Sequence, residues 1–182
     1  MNYLKVSWEC GSLPAPGPPL GASFDNGMVS SDPLSYRDHW RVREYEVDGF
    51  GHVNNAVYLN WAEEMAARHA EASGLGQEWA AQHQGGWVVR HTEITYFAPA
   101  RFGDELELAV QVELVRGTRA HRRTTIDRGR DGLRLAEVFT EWVWVRLSDH
   151  RPAPVPKELV ALAAERTAAT LAGQTAHRAG RR

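Results

Sequence analysis

The chain has 182 residues, 43% of them hydrophobic, enough to enclose one sizeable core within a single domain. Its 21 basic and 23 acidic residues leave a formal charge of -2, which excludes a whole-protein field drawing nucleic acid or membrane; an anionic ligand must be held by a local patch. A lone cysteine, Cys10, excludes a disulfide framework and a cysteine-based metal site. No apolar run nears the roughly 18 residues of a membrane span and the start lacks a signal-peptide pattern, so a soluble cytoplasmic protein is expected.

Residues 11–21 read GSLPAPGPPLG, four prolines and three glycines in eleven positions, a composition that sustains neither helix nor strand. Residues 1–35 are therefore expected to form a disordered extension, with Met28 a candidate true start. HWRVREYEV (39–47) alternates imperfectly through Trp40, Val42 and Tyr45 and predicts a strand. From Ala56 the period changes. Val57, Trp61 and Met65 stand four apart, Tyr58, Ala62 and Ala66 form the adjacent row, and Gly74 marks a stop, so 56–74 reads as a helix. Its apolar arc is wider than a surface helix needs.

A polar connector, GLGQEWAAQHQGG, leads to four segments rich in β-branched and aromatic residues, at 87–98, 104–116, 120–129 and 133–147. APARFGD, RGT and RGRDG punctuate them, the last two short enough for hairpins. One over-wide apolar helix and an antiparallel sheet of about five strands admit few compact arrangements. The sheet must curl around the helix, giving an α+β domain over 36–160. Pro156 then opens a short second helix, and 161–182 hold its end and a basic tail.

The helix entrance, VDGFGHVNN (47–55), carries more polar and glycine residues than a cap requires. Asp48 alone reads as a turn residue. Beside a helix N-terminus, however, its carboxylate meets unpaired N–H groups at the positive end of the dipole: the N–H groups polarise a carbonyl while the carboxylate attacks it or activates water. Gly51 permits close approach of a substrate to backbone. His52 reads either as an ordinary loop residue or as a base or water-orienting group. It has no partners at metal spacing, and neither a metal nor another cofactor is expected. One of Asn54 and Asn55 caps the helix, and two exceed what capping needs.

Glu64 stands four residues before Arg68, the spacing of an exposed ion pair. Glu63, at the edge of the polar arc, is a weaker candidate whose pKa partial burial would raise, and Tyr58 is another weaker candidate. Arg119, Arg122 and Arg123 read either as ordinary solvent-facing arginines or as a phosphate-binding patch. Nucleotide loops, serine or cysteine elbows and zinc patterns are absent from the sequence.

RVREYEVDGFGHVNNAVYLNWAEE resembles the signature of the 4-hydroxybenzoyl-CoA thioesterase family of hotdog-fold acyl-CoA thioesterases, and its GHVNN form is similar to the branch that includes acyl-ACP thioesterases. ITYFAPARFGDELEL and WVWVRLSDHRPAPVPKEL follow in the family's order, so the resemblance covers 38–160. It implies a hotdog fold, a homodimer or homotetramer, and Asp48 as the catalytic aspartate. Asn55 matches the helix-start position whose N–H polarises the thioester carbonyl, and His52 and Asn54 match the polar residues of the branch.

Phe50 stands where the plant acyl-ACP enzymes carry asparagine, and one repeat replaces their two, which leaves the carrier open between CoA and acyl carrier protein. The implied reaction is hydrolysis of an acyl thioester to acid and thiol, with Asp48 as nucleophile or general base and Arg119, Arg122 and Arg123 as contacts for CoA phosphates. A hotdog module that binds acyl-CoA without hydrolysis is the alternative, disfavoured because binding alone does not need the carboxylate. A dehydratase is a third, without its usual histidine and acid arrangement. Trp40, Trp61, Trp87 and Phe97 read first as core and second as walls of an acyl tunnel. Acyl length stays open.

Overall fold

The structure, a computed structural model, describes residues 32–165. Of the disordered extension expected over 1–35, residues 32–35 are ordered instead, because Leu34 is buried in the core and Ser35 begins a strand, its N–H donating to the Asp32 carbonyl (3.1 Å); the proline-rich stretch, Met28 and the tail beyond residue 165 lie outside the described residues.

Five strands form one antiparallel sheet: β1 (Ser35–Arg41), β2 (Gly85–Tyr96), β3 (Glu105–Arg116), β4 (Arg119–Arg128) and β5 (Leu133–Arg146), in the order β1-β3-β4-β5-β2. β3 and β4 are joined by the two residues Gly117 and Thr118, and Gly117 has the positive φ (62°) that a tight hairpin of this twist requires. Alternate residues of β3 are buried: Leu106, Leu108, Val110 and Val112 face inward. A register shift between Val112 and Leu114 then brings Val115 to the interior.

The long helix α1 (Asn55–Ala72) lies on the inner face of this sheet and buries Tyr58, Trp61, Ala62, Met65, Ala66 and His69, spaced by three and four residues. It starts where the Asn54 side chain accepts a hydrogen bond from the Ala56 N–H (2.9 Å). It ends at Gly74, in a left-handed conformation (φ 69°), with the Leu75 N–H donating to the Ala70 carbonyl (2.8 Å) and the Gly74 N–H to that of Glu71 (3.0 Å). The predicted ion pair is present: Arg68 Nε lies 2.9 Å from Glu64 Oε1, and its Nη1 also reaches the buried Asp38 carboxylate of β1 (2.6 Å). This is the hotdog arrangement, a helix enclosed by a curled antiparallel sheet.

Two elements depart from the sequence reading. The segment 39–47 does not stay in a strand; β1 ends at Arg41 and a single 3-10 turn occupies Glu44–Glu46. The cause is Glu46, whose buried carboxylate accepts from the Arg43 N–H (2.7 Å), the Trp61 indole (2.9 Å) and the Trp40 indole (3.3 Å), drawing the chain back on itself. The connector after Gly74 contains a six-residue helix, α2 (Gln77–Gln82), whose Trp79 packs edge-on against Trp144 at 5.5 Å. A further helix runs from Lys157 to the end of the described residues, entered from Pro156. No described helix is long and apolar enough to cross a membrane.

Two apolar clusters result. One surrounds the first half of α1 and joins Tyr58, Trp61 and Met65 to Leu106, Leu108, Ile126 and Leu135. The other gathers Val112, Val115, Trp144, Val155 and Leu159, with Trp79, Trp87 and Trp142 packed against it.

Candidate active site

The loop between the 3-10 turn and α1 is pinned on three sides. Val47 and Val53 form an antiparallel bridge, the Asn54 N–H donates to the Glu46 carbonyl (2.9 Å), and the Val53 N–H donates to the Ala100 carbonyl (2.9 Å). Within it the Asp48 N–H donates to the His52 carbonyl (2.8 Å) and the Gly51 N–H to the Asp48 carbonyl (3.0 Å). Gly51 takes φ 75°, which explains a glycine there by itself; a Cβ would meet nothing within 4 Å.

The Asp48 carboxylate is half-buried and divided in its duties. Oδ1 accepts from the Phe50 N–H (2.9 Å) and the His52 N–H (3.4 Å), whereas Oδ2 takes no hydrogen bond among the described residues. One oxygen is anchored to backbone and the other is open.

The predicted group therefore gathers in one tight turn: Asp48, Gly51, His52, Asn54 and Asn55. Asn54 spends its side chain on the cap. The N–H of Asn55, in the first helical turn, has no carbonyl one turn earlier within the helix to receive it, and no hydrogen bond of the loop uses it. The Asn55 carbonyl accepts from the Tyr96 hydroxyl (2.9 Å), which fixes the end of β2 against the helix start. The His52 imidazole has no hydrogen-bond partner among the described residues, leaving it available to water or substrate. The exposed rings of Phe50, Tyr96 and Phe97 border this entrance.

The weaker candidates lie elsewhere. Tyr58 is buried in the core and its hydroxyl accepts from the Ala100 N–H (2.9 Å), so it braces the segment that receives Val53; burial holds its pKa above the usual range. Glu63 is half-buried on the second-cluster side of α1, where desolvation raises its pKa against the opposing attraction of Arg122. The arginine trio is split by the strand's alternation. Arg119 pairs with Glu141 (3.2 Å), and Arg123 with Glu113 and Glu137, on the outer face of the sheet, while Arg122 points inward with its Nε fully enclosed. The phosphate patch expected from their closeness in sequence is not assembled.

The sequence reading missed Glu46, whose acidic character in a strand-like run was the only signal, and Tyr96. It also missed the cavity of about 490 Å³ between the second half of α1, α2 and the sheet, lined by Glu63, His69, Arg122 and Trp142 among apolar neighbours. His69 is 3% exposed and stacks on Tyr36; burial first and Arg122 second lower its pKa to about 4. Burial also lowers Arg122 to about 10, against the attraction of Glu63.

A long helix enclosed by a curled antiparallel sheet, with a polar loop at the helix start, is the build of the hotdog class of thioester hydrolases. The model of the thioesterase-like superfamily matches residues 42–162, and the chain belongs to that family. It is 29% identical over 119 residues to the long-chain acyl-CoA thioesterase FadM of Escherichia coli, covering 65% of this chain and 89% of that protein. It is likewise 29% identical over 125 residues to the acyl-CoA thioester hydrolase YbgC of E. coli O157:H7, covering 67% and 92%. In fold it superposes on the 1,4-dihydroxy-2-naphthoyl-CoA thioesterase Slr0204 of Synechocystis with a TM-score of 0.64, at 21% identity, over 71% of this chain and 96% of that one. The protein is a thioester hydrolase.

Proposed function

We propose that the protein hydrolyses acyl thioesters of coenzyme A or acyl carrier protein at the loop before α1, with Asp48 as the reacting carboxylate. The observation that carries this reading is the division of labour within Asp48: Oδ1 held by two backbone N–H groups, Oδ2 free, beside a helix start whose Asn55 N–H is unspent. The Asn55 N–H and the helix dipole draw electron density from the thioester carbonyl. Oδ2 then either attacks the carbonyl carbon, expelling the thiolate and leaving a mixed anhydride for water to open, or takes a proton from the water that attacks. His52 orients that water, and Gly51 shapes the turn that exposes the carboxylate.

The names of FadM and YbgC support acyl-CoA as the substrate class. A homodimer fits the same reading. β2 is an edge strand of 12 residues, with Val88 51% exposed and Tyr96 and Phe97 exposed at its end, a surface that pairing with a second copy would cover.

Asp48→Asn keeps an acceptor for the Phe50 N–H and removes the charge, so it separates chemistry from loop structure. Thiol release from a panel of short, long and aromatic acyl-CoAs should fall by roughly 10³-fold or more with the melting temperature unchanged. Near wild-type turnover in both Asp48→Asn and Asp48→Ala would sink the assignment.

A further inference from the structure

The helix that starts at Lys157 docks through apolar residues and one ion pair. Val155, Leu159 and Ala163 are buried in the second cluster with Trp144, and Trp79 of α2 packs against the same cluster. Leu159 lines the cavity of about 490 Å³ together with Gln77, Ala80 and Ala81 of α2, so the two helices share one wall of it. Among the described residues the ion pair that ties them is that of His83, at the end of α2, with Glu158.

The imidazole of His83 is held at both nitrogens. Nδ1 lies 2.8 Å from the Trp79 carbonyl, and Nε2 meets the Glu158 carboxylate. Both partners only accept. A carbonyl has no proton to give, and the Glu158 carboxyl is kept below its ordinary pKa, first by its own backbone N–H at the helix start and further by His83, against desolvation. A neutral imidazole has one N–H and serves one of these acceptors, whereas the imidazolium has two and serves both. The ring also lies 4.4 Å from the Trp79 ring, centroid to centroid, where positive charge is favoured beside an indole. The Trp79 carbonyl first and Glu158 second accordingly hold the His83 pKa above its ordinary 6.5.

Glu158 is the charged group that acts on the ring. Glu78 of α2, Lys157 and Glu165 of the facing helix, and His150 and Arg151 in the loop after β5 form no ion pair with it among the described residues, and Arg146 at the end of β5 is taken by Asp149. With Glu158 ionised, His83 is the member of the pair that titrates near neutrality.

We propose that His83 is a proton-dependent latch. Protonated, it clamps the helix from Lys157 onto α2 and keeps their shared wall of the cavity in place; deprotonated, it sets a lone pair against one of its two acceptors and loosens the helix. A histidine whose pKa is raised in the folded protein contributes fully below its unfolded value of about 6.5, and the contribution disappears as pH rises through the folded value. The helix is thus held in mild acid and loosened in mild alkali, the opposite sense to His69.

The test is hydrogen exchange of the full chain read by mass spectrometry, each variant compared with the unmodified protein at the same pH so that the intrinsic pH dependence of exchange cancels. At pH 6, amides of 77–83 and 157–165 should exchange at least about threefold faster in His83→Gln and in Glu158→Gln, and by pH 8.5 the three proteins should converge. At pH 6 the gap should narrow in 1 M salt, because the pair is partly exposed. NMR titration of the His83 ring, assigned by its disappearance in His83→Gln, should give a pKa above 6.5 that falls in Glu158→Gln. Equal exchange at pH 6, a ratio that stays constant from pH 6 to 8.5, or a ring pKa at or below 6.5 overturns the proposal. None of these readouts passes through Asp48, so they stand apart from the reading of the reacting loop.

Discussion

The two halves of α1 sit in the same sheet but treat buried polarity in opposite ways. Around the first half the enclosed polar groups are matched: Glu46 takes three donors and the Tyr58 hydroxyl takes the Ala100 N–H. Around the second half, His69, Arg122 and Trp142 each keep an atom without a partner. A matched polar group adds to folding, whereas an unmatched one subtracts from it. The first half thus holds the loop before α1 in place, while the second half carries the cost of enclosed groups without partners.

Substitutions can break that contrast from either side. The largest stability effect should come from Glu46→Ala, which strands two indole N–H groups and one backbone N–H; a loss of about 4 kcal/mol is expected in urea unfolding. Glu46→Gln, which keeps an acceptor, should lose less than half of that.

Acid should act on the other half. His69 binds its proton near 6.5 when unfolded and resists it until about 4 when folded, so its contribution is complete above pH 6.5 and disappears as pH falls through that window. Stability should drop by about 3 kcal/mol between those limits from this group, and melting curves of His69→Gln should be flatter across the same range.

Arg122→Met should move stability upward. Removing an enclosed cation without an ion pair and filling its space with an apolar chain is expected to add about 1 to 2 kcal/mol in the unliganded protein. A loss of similar size would show that Arg122 is matched after all and erase the difference between the halves. The smallest effect belongs to Gly51→Ala, where only the left-handed backbone is strained and nothing is crowded; about 1 kcal/mol should be lost, read from the urea midpoint.

Much of the fold could be read from the chain because its signals are local. The four-residue spacing of Val57, Trp61 and Met65, with Asn54 at one end and Gly74 at the other, placed α1 within a residue or two of its limits. The last four strands followed from β-branched runs and glycine turns. What escaped depends on distant partners. Nothing near Glu46 says that Trp61 will close on its carboxylate, so a turn was taken for strand. QEWAAQ is too short for its period to declare α2, and Trp79 finds its reason only in Trp144.

At the candidate site, Asp48, Gly51, His52, Asn54 and Asn55 are crowded in the sequence and share one turn of the structure, so their grouping was legible from the chain alone. The arginines misled because adjacency along a strand means opposite faces, as Arg122 and Arg123 illustrate. The cavity was illegible for a plainer reason: its polar lining is drawn from α1, α2, β4 and β5.

The manner in which Asp48 is tethered has a further consequence. Its anchors at positions 50 and 52 are main-chain amides, so the orientation of the carboxylate does not depend on which side chains those positions carry. Drift at Phe50 or His52 can retune what approaches the carboxylate while its aim is inherited unchanged, and proline, which has no N–H to give, is the one residue both positions must refuse.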